Sequence, residues 1–193
     1  MAERQEPGRA SVYFSHIKGI LLPGEEVAGF QAYQIDAAEI AEWEDPDLAI
    51  VLETGRAQLE RQNSNLEAIR SRAQFVLTLA LAFVGIAVAS AEFVSRAIIA
   101  QVPWGIGIGI AFLSALGAGG VIVARKELGM VDARLLTHQI PPLLAVAARA
   151  FADAVAAGEN TVATEITVLR DSVALFLVSF VLVCGGWLIA AAS

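Results

Sequence analysis

Residues 73–91, 103–124 and 172–192 contain no Asp, Glu, Lys or Arg. Each run is close to the ~20 apolar residues that an α-helix needs to cross the hydrocarbon core of a bilayer. The rest of the composition points the same way. The chain is 56% hydrophobic and only 17% charged, against roughly 25% charged in soluble domains. A soluble globular enzyme is therefore not expected. The fold class predicted is all-α, a polytopic integral membrane protein with three transmembrane helices and cytoplasmic helical extensions.

The first ten residues, MAERQEPGRA, are polar, and the apolar cluster Ile20, Leu21, Leu22 is stopped by Pro23 and Gly24. That cluster is too short for the core of a signal peptide, so no cleavable leader is expected and the first span must drive insertion. The chain then divides into a polar, acidic amino-terminal segment (1–46), an amphipathic cytoplasmic helix (47–72), a transmembrane hairpin (73–124), a cytoplasmic helical loop (125–171) and the third span (172–192). Cys184 falls inside that span, where apolar burial makes a thiol inert.

Orientation follows from the cations. Seven Lys or Arg precede the first span, five lie between the second and third, and Arg96 alone occupies the first hairpin. Arg70, Arg72, Arg125, Lys126 and Arg170 sit at span ends, where positive charge holds a loop in the cytoplasm. An inner-membrane, multi-pass topology is expected, with the amino terminus cytoplasmic and the carboxyl terminus outside. Trp104 and Trp187 then fall at the outer interface, which suits an amphipathic indole.

Before the first span, thirteen acidic residues face seven basic ones. Phosphate backbones and anionic lipid surfaces attract the opposite charge, so nucleic acid is not an expected partner. The acidic stretch AEIAEWEDPD (38–47) reads as a solvated helix face ending near Pro46 or as a contact for a basic protein.

Residues 10–35 are ambiguous. ASVYFSHI and GFQAYQI have the aromatic and β-branched content of short strands around the turn LLPGEE, and a small hairpin or a helical region both fit. Beyond Pro46 a heptad appears, with Leu48, Leu52, Leu59, Leu66, Ile69 and Ala73 at its apolar positions and Gly55 and Gln62 as weak members. It predicts a helix that continues through Arg72 into the membrane, pairing either with other copies as a stalk or with the chain's own loop. In that loop, helix is expected up to Pro141 and Pro142, where a break belongs. A second helix should bury Leu144, Ala147, Phe151 and Val155 and end with Gly158 as its cap, and Asn160 or Thr161 should cap the next.

Small residues recur every four positions in the spans. Gly107, Ala111, Ala115 and Gly119 form a ridge in span two, and Thr78, Ala82, Gly85 and Ala89 form a stripe in span one. Such positions let helix backbones approach closely, so both sets are candidate helix-packing residues, within the hairpin or between copies. The polar span residues Thr78, Ser114, Ser179 and Cys184 are expected to satisfy themselves on local helix carbonyls.

No ionisable group lies in the spans, which argues against an ion-coupled carrier. His16 and His138 have no second ligand at metal spacing, and no nucleophile sits beside a base, so a nonenzymatic protein without metal or cofactor is expected. The run GIGIGI (105–110) lacks the Lys and Ser or Thr of a phosphate loop and reads as helix packing. Shifting the chain by one hundred residues aligns Arg70 with Arg170 and Gly85 with Gly185, a likeness that a shared positive-inside requirement accounts for.

The stretches NLEAIRSRAQFVLTLALAFVG (65–85) and LRDSVALFLVSFVLVCGG (169–186) give the chain's membrane core an arrangement that resembles small bacterial membrane effectors of the SLATT and Pycsar transmembrane type. The resemblance implies membrane damage after detection of a nucleotide signal, and carries no nucleotide-binding residues over to this chain. Two functions are thus expected in order: a self-associating helical membrane module with cytoplasmic regulatory or partner-binding helices, then a membrane-permeabilising antiviral defence effector. The partners implied are the lipid bilayer, further copies of the chain, and a cytoplasmic protein or nucleotide signal.

Overall fold

A computed structural model of the chain describes residues 8–22, 29–30, 43–123 and 143–193. Among them the regular elements are all helices: α1 Arg9–Leu21, α2 Asp45–Ala89, α3 Ala91–Ser95, α4 Ile98–Val123 and α5 Leu143–Ala192. The 45-residue α2, the 26-residue α4 and the 50-residue α5 are each long and apolar enough to cross a membrane. The described residues form two compact units. One holds 29–30, 43–68 and 143–164, and the other holds 8–22, 69–123 and 165–193, so α2 and α5 contribute to both.

In the first unit α2 and α5 run parallel. The predicted heptad is the buried stripe of α2: Leu48, Gly55, Gln62 and Leu66 are buried, with Leu52 and Leu59 half-buried. Leu48 packs on Ala148 and Ala152 of α5. A Cβ on Gly55 would lie 3.3 Å from the Phe151 Cβ. One heptad further on the sizes reverse, because Gln62 fills the space that Gly158 leaves open.

Several expectations are corrected here. Gly158 does not cap a helix; it lies buried within α5, and a Cβ there would meet the Gln62 amide, with Cδ 2.8 Å away. A glycine inside a helix costs about 1 kcal/mol relative to alanine without breaking it, and the Gln62 contact requires it. Thr161 does not cap a new helix either, since its hydroxyl donates back to Ala157 O at 2.9 Å. The buried positions of this stretch include Ala148, Ala152 and Val155, whereas Leu144, Ala147 and Phe151 are half-buried. Pro46 falls in the first turn of α2, between Asp45 and Asp47. Proline fits that turn because its missing N–H would have had no partner, and carboxylates there complement the helix dipole.

ASVYFSHI, whose residues left a strand and a helix both open, lies in the helix α1. Val12, Tyr13, His16 and Ile17 are buried while Ser11, Phe14 and Lys18 are exposed, which is a helical period. Residues 23–26, 31–35 and 38–42 of LLPGEE, GFQAYQI and AEIAEWEDPD, and the helix expected before Pro141 and Pro142, lie outside the described residues.

In the second unit α4 packs against α1, and α3 packs against the start of α4. The stripe of α2 continues through Ile69, Ala73, Ala80, Phe83 and Ala87. Phe83 meets Phe176 edge-on at 5.7 Å, and Ala87 clusters with Ala111 and Val183. At the other end Val94, Ala97 and Ala100 pack with Trp104 and Trp187, and Trp187 Nε1 donates to Ser90 Oγ at 2.8 Å. The first turn after α2 is thereby tied to α5.

Candidate functional site

The second unit exposes many large apolar side chains, while alanine, glycine and serine are frequent in its interior beside the buried Phe83, Val94, Val168 and Val183. Phe75, Leu81, Ile86, Ile106, Leu177 and Val181 are exposed, whereas Ala80, Ala111, Ser114, Ala118, Ser172 and Ser179 are buried. Close backbone contact is the reason. A Cβ on Gly107 would stand 2.7 Å from Val183 Cγ2 and 3.1 Å from the Ser179 carbonyl, and one on Gly186 would stand 3.0 Å from the Ala100 carbonyl. Two helices this close have no room for a larger residue at the contact.

The polar part of this interior lies where α1, α4 and α5 meet. Tyr13 Oη donates to Leu113 O at 2.9 Å, Ser114 Oγ donates to Ser172 O at 2.7 Å, and Ser172 Oγ donates to Val168 O at 2.9 Å. Each hydroxyl has a single proton and a carbonyl to receive it. The 3.4 Å separation of Tyr13 Oη and Ser172 Oγ is consequently a weak contact. Gly117 makes the seat possible: a Cβ there would fall on the Tyr13 phenol and 2.5 Å from Ser172 Oγ. One turn on, Gly120 would bring a Cβ to 3.3 Å from that of His16. His16 is buried, and its Nδ1 lies 3.0 Å from Val12 O. A carbonyl only accepts, so the proton belongs on Nδ1. Burial pushes the Tyr13 phenol above its ordinary 10.0, the contact with Ser172 opposes this in part, and the charge of Asp171 adds to the rise.

The predicted packing residues separate by position. Gly107, Ala111 and Ala115 are buried, and Gly119 is half-buried. Thr78, Ala82, Gly85 and Ala89 are exposed, and a Cβ on Gly85 would meet nothing within 4 Å, so the structure does not bring ridge and stripe together within the chain. The ridge instead meets α5, at Val183. Of the GIGIGI run, Gly107 faces the interior while Gly105 and Gly109 meet nothing within 4 Å. Thr78 donates to Gln74 O at 2.9 Å, the local bond expected, but Ser114 bonds across to α5 and the buried Ser179 hydroxyl has no partner.

Tyr13, Gly117, Gly120 and Ser172 are the residues that sequence reasoning missed, together with Glu165. That carboxylate is 2% exposed and shares the buried stripe of α5 with Val168 and Ser172. Its seven-residue spacing from Ser172 was a usable signal, hidden because both stand among charged neighbours outside or at the edge of the apolar run. Among the described residues no three His, Cys, Asp or Glu are grouped to hold a metal ion.

The chain is thus all-helical in its described residues, with three helices long and apolar enough to span a membrane. Comparison with protein-family models, curated proteins and solved structures finds no match.

Proposed function

We propose that this chain is a nonenzymatic integral membrane protein that crosses the bilayer three times, with its amino terminus in the cytoplasm, and that it self-associates. The observation that carries the reading is the exterior of the second unit, where many large apolar side chains such as Phe75, Leu81, Ile86, Ile106, Leu177 and Val181 are exposed, over an interior rich in alanine, glycine and serine. In water the exterior of such a bundle would be an apolar patch far beyond what a soluble monomer exposes. In lipid it is the expected surface, and close packing of small residues replaces the hydrophobic effect as the source of helix association.

Self-association draws support from small residues that the fold leaves open. Gly85 on α2 and Gly105 and Gly109 on α4 have no neighbour within 4 Å, although each permits the backbone approach that Gly107 uses internally. The first unit supplies the partner-binding or regulatory helices, and α2 and α5 carry its state into the bundle because both helices belong to both units.

The test is crosslinking in native membranes. Wild-type protein should give species larger than the monomer. The exchanges Gly105→Leu and Gly109→Leu should abolish them while leaving a folded monomer, and Gly107→Leu should destabilise the monomer itself, since overpacking costs about 1 to 3 kcal/mol per site. Only monomer in wild-type membranes would remove self-association. Depolarisation of expressing cells, read with a potential-sensitive dye, would replace this reading by membrane permeabilisation.

A further inference from the structure

Two features of the second unit mark one level along its helices. On α4, exposed positions recur from 98 to 113, and residues 114–122, on which α1 packs through Tyr13 and His16, have none. On α5, Ser172 opens the charge-free run directly after Arg170 and Asp171. The 2.7 Å hydrogen bond from Ser114 to the Ser172 carbonyl puts both markers at the same height. If the three-span reading holds, on which this inference rests, that height is the inner edge of the hydrocarbon core; the membrane part of α4 is then 98–113, shifted from the expected second span 103–124, and residues 114–123 run on past the edge. Tyr13 bonds to Leu113 O at 2.9 Å and touches Ser172, so α1 stands at that edge.

The two faces of α1 differ. Val12, Tyr13, His16 and Ile17 are buried, and on the other side Phe14 is 59% exposed with its ring edge-on to Tyr13. Leu113 of α4 and Val173 of α5, beside the atoms that hold Tyr13, are each 37% exposed, so the outward apolar surface of the bundle continues up to α1. The helix has no acidic residue, and Arg9 and Lys18 occupy exposed positions, a local balance opposite to that of the amino-terminal region as a whole. An aromatic ring at headgroup height is stabilised by its amphipathic surroundings, and cationic side chains next to it meet lipid phosphates.

We propose that α1 is a lipid-docking helix: its Phe14 side lies in the interfacial zone of the inner leaflet, while its Tyr13 side is clamped to α4 and α5. The occupant of the exposed face is phospholipid, because that face continues the lipid-facing surface at the height where headgroups begin. Gly117 and Gly120 set how deep the helix seats. In this role α1 belongs to the membrane part of the protein, although its residues lie outside the charge-free runs.

Spin labels placed in full-length protein in vesicles of phosphatidylethanolamine and phosphatidylglycerol test this, with Cys184→Ser as background. The labelled sites are Phe14→Cys, Leu177→Cys as the lipid reference and the exposed Glu53→Cys as the aqueous reference. Ser11→Cys, on the same face of α1, replaces position 14 if that variant does not insert. Collision rates with oxygen, which concentrates in lipid, and with a water-soluble nickel chelate are compared. The proposal expects an oxygen-to-nickel ratio at position 14 several-fold above that at 53 and below that at 177. A ratio at 14 equal to that at 53 would overturn lipid docking and leave the three spans intact. A label at 14 shielded from both reagents would also overturn it, since protein would then cover the face. Equal ratios at 177 and 53 would instead remove the three-span reading, and this inference with it.

Discussion

Gly117 and Tyr13 show how much one absent methyl decides. The phenol occupies the space in which a Gly117 Cβ would lie, and its proton reaches Leu113 O on the same turn of α4. Gly117→Ala should therefore destabilise the protein by about 1 to 3 kcal/mol, because the phenol must leave its seat. Tyr13→Phe should cost about 1 kcal/mol for the lost hydrogen bond. Gly85→Ala, with open space around it, should be neutral or slightly stabilising. Denaturant unfolding in detergent ranks the three, and a Gly117→Ala protein as stable as Gly85→Ala would contradict the seat. Tyr13 also predicts a pH dependence. Its folded pKa lies above 10.0, so in strong base the folded protein retains a proton that the unfolded chain releases. This contribution to stability is level below about pH 10 and falls as pH rises through the folded pKa. The fall should be smaller in Tyr13→Phe, as read by unfolding midpoints at neutral and alkaline pH.

At the scale of elements, reciprocal pairs hold α2 and α5 in register. Gly55 receives Phe151, and seven residues later Gly158 receives Gln62, so sliding the helices by one heptad would set bulk against bulk. Gln62 is buried, its Nε2 donates to Val155 O at 3.0 Å, and its Oε1 has no partner. A buried polar group of this kind specifies register at a cost in stability. Gly158→Ala should destabilise the pair by displacing the amide, and adding Gln62→Ala should recover much of the loss. A double-mutant cycle should yield a coupling of at least about 1 kcal/mol; independent effects of the two exchanges would show that the notch does not set the register. The α2 half of this contact was legible in the sequence, since leucines repeated every seven residues leave one choice of face. The α5 half was not. In LLAVAARAFADAVAAG alanine falls on every side, and only Leu48 packing on Ala148 and Ala152 selects the buried one.

For the whole molecule, the decisive prediction is topological. Single cysteines in place of Ser95 and Ser193 should react with an impermeant thiol reagent in intact cells, and one in place of Ser64 should react only after lysis. All three positions are exposed in the fold, so silence at Ser64 in intact cells would reflect the membrane barrier rather than burial. The expectation rests on the concentration of Lys and Arg before the first span and in the long loop, against Arg96 alone in the hairpin. Labelling of position 64 in intact cells would reverse the orientation.

The sequence by itself determined the helical class, the three apolar helices and the buried stripe of α2. Each follows from a one-dimensional pattern: charge-free length for the helices, and a seven-residue repeat of large apolar groups for the stripe. Only the tertiary structure decided that residues 9–21 form a helix, that Gly158 sits inside one, and that Gly107 meets α5 while Gly105 and Gly109 stay open. A glycine reads the same in the chain whether it caps, bends or admits a neighbour. What distinguishes these is the atom that would collide with its missing Cβ: Gln62 at Gly158, Val183 at Gly107 and the Tyr13 phenol at Gly117, each at least seventy residues away along the chain.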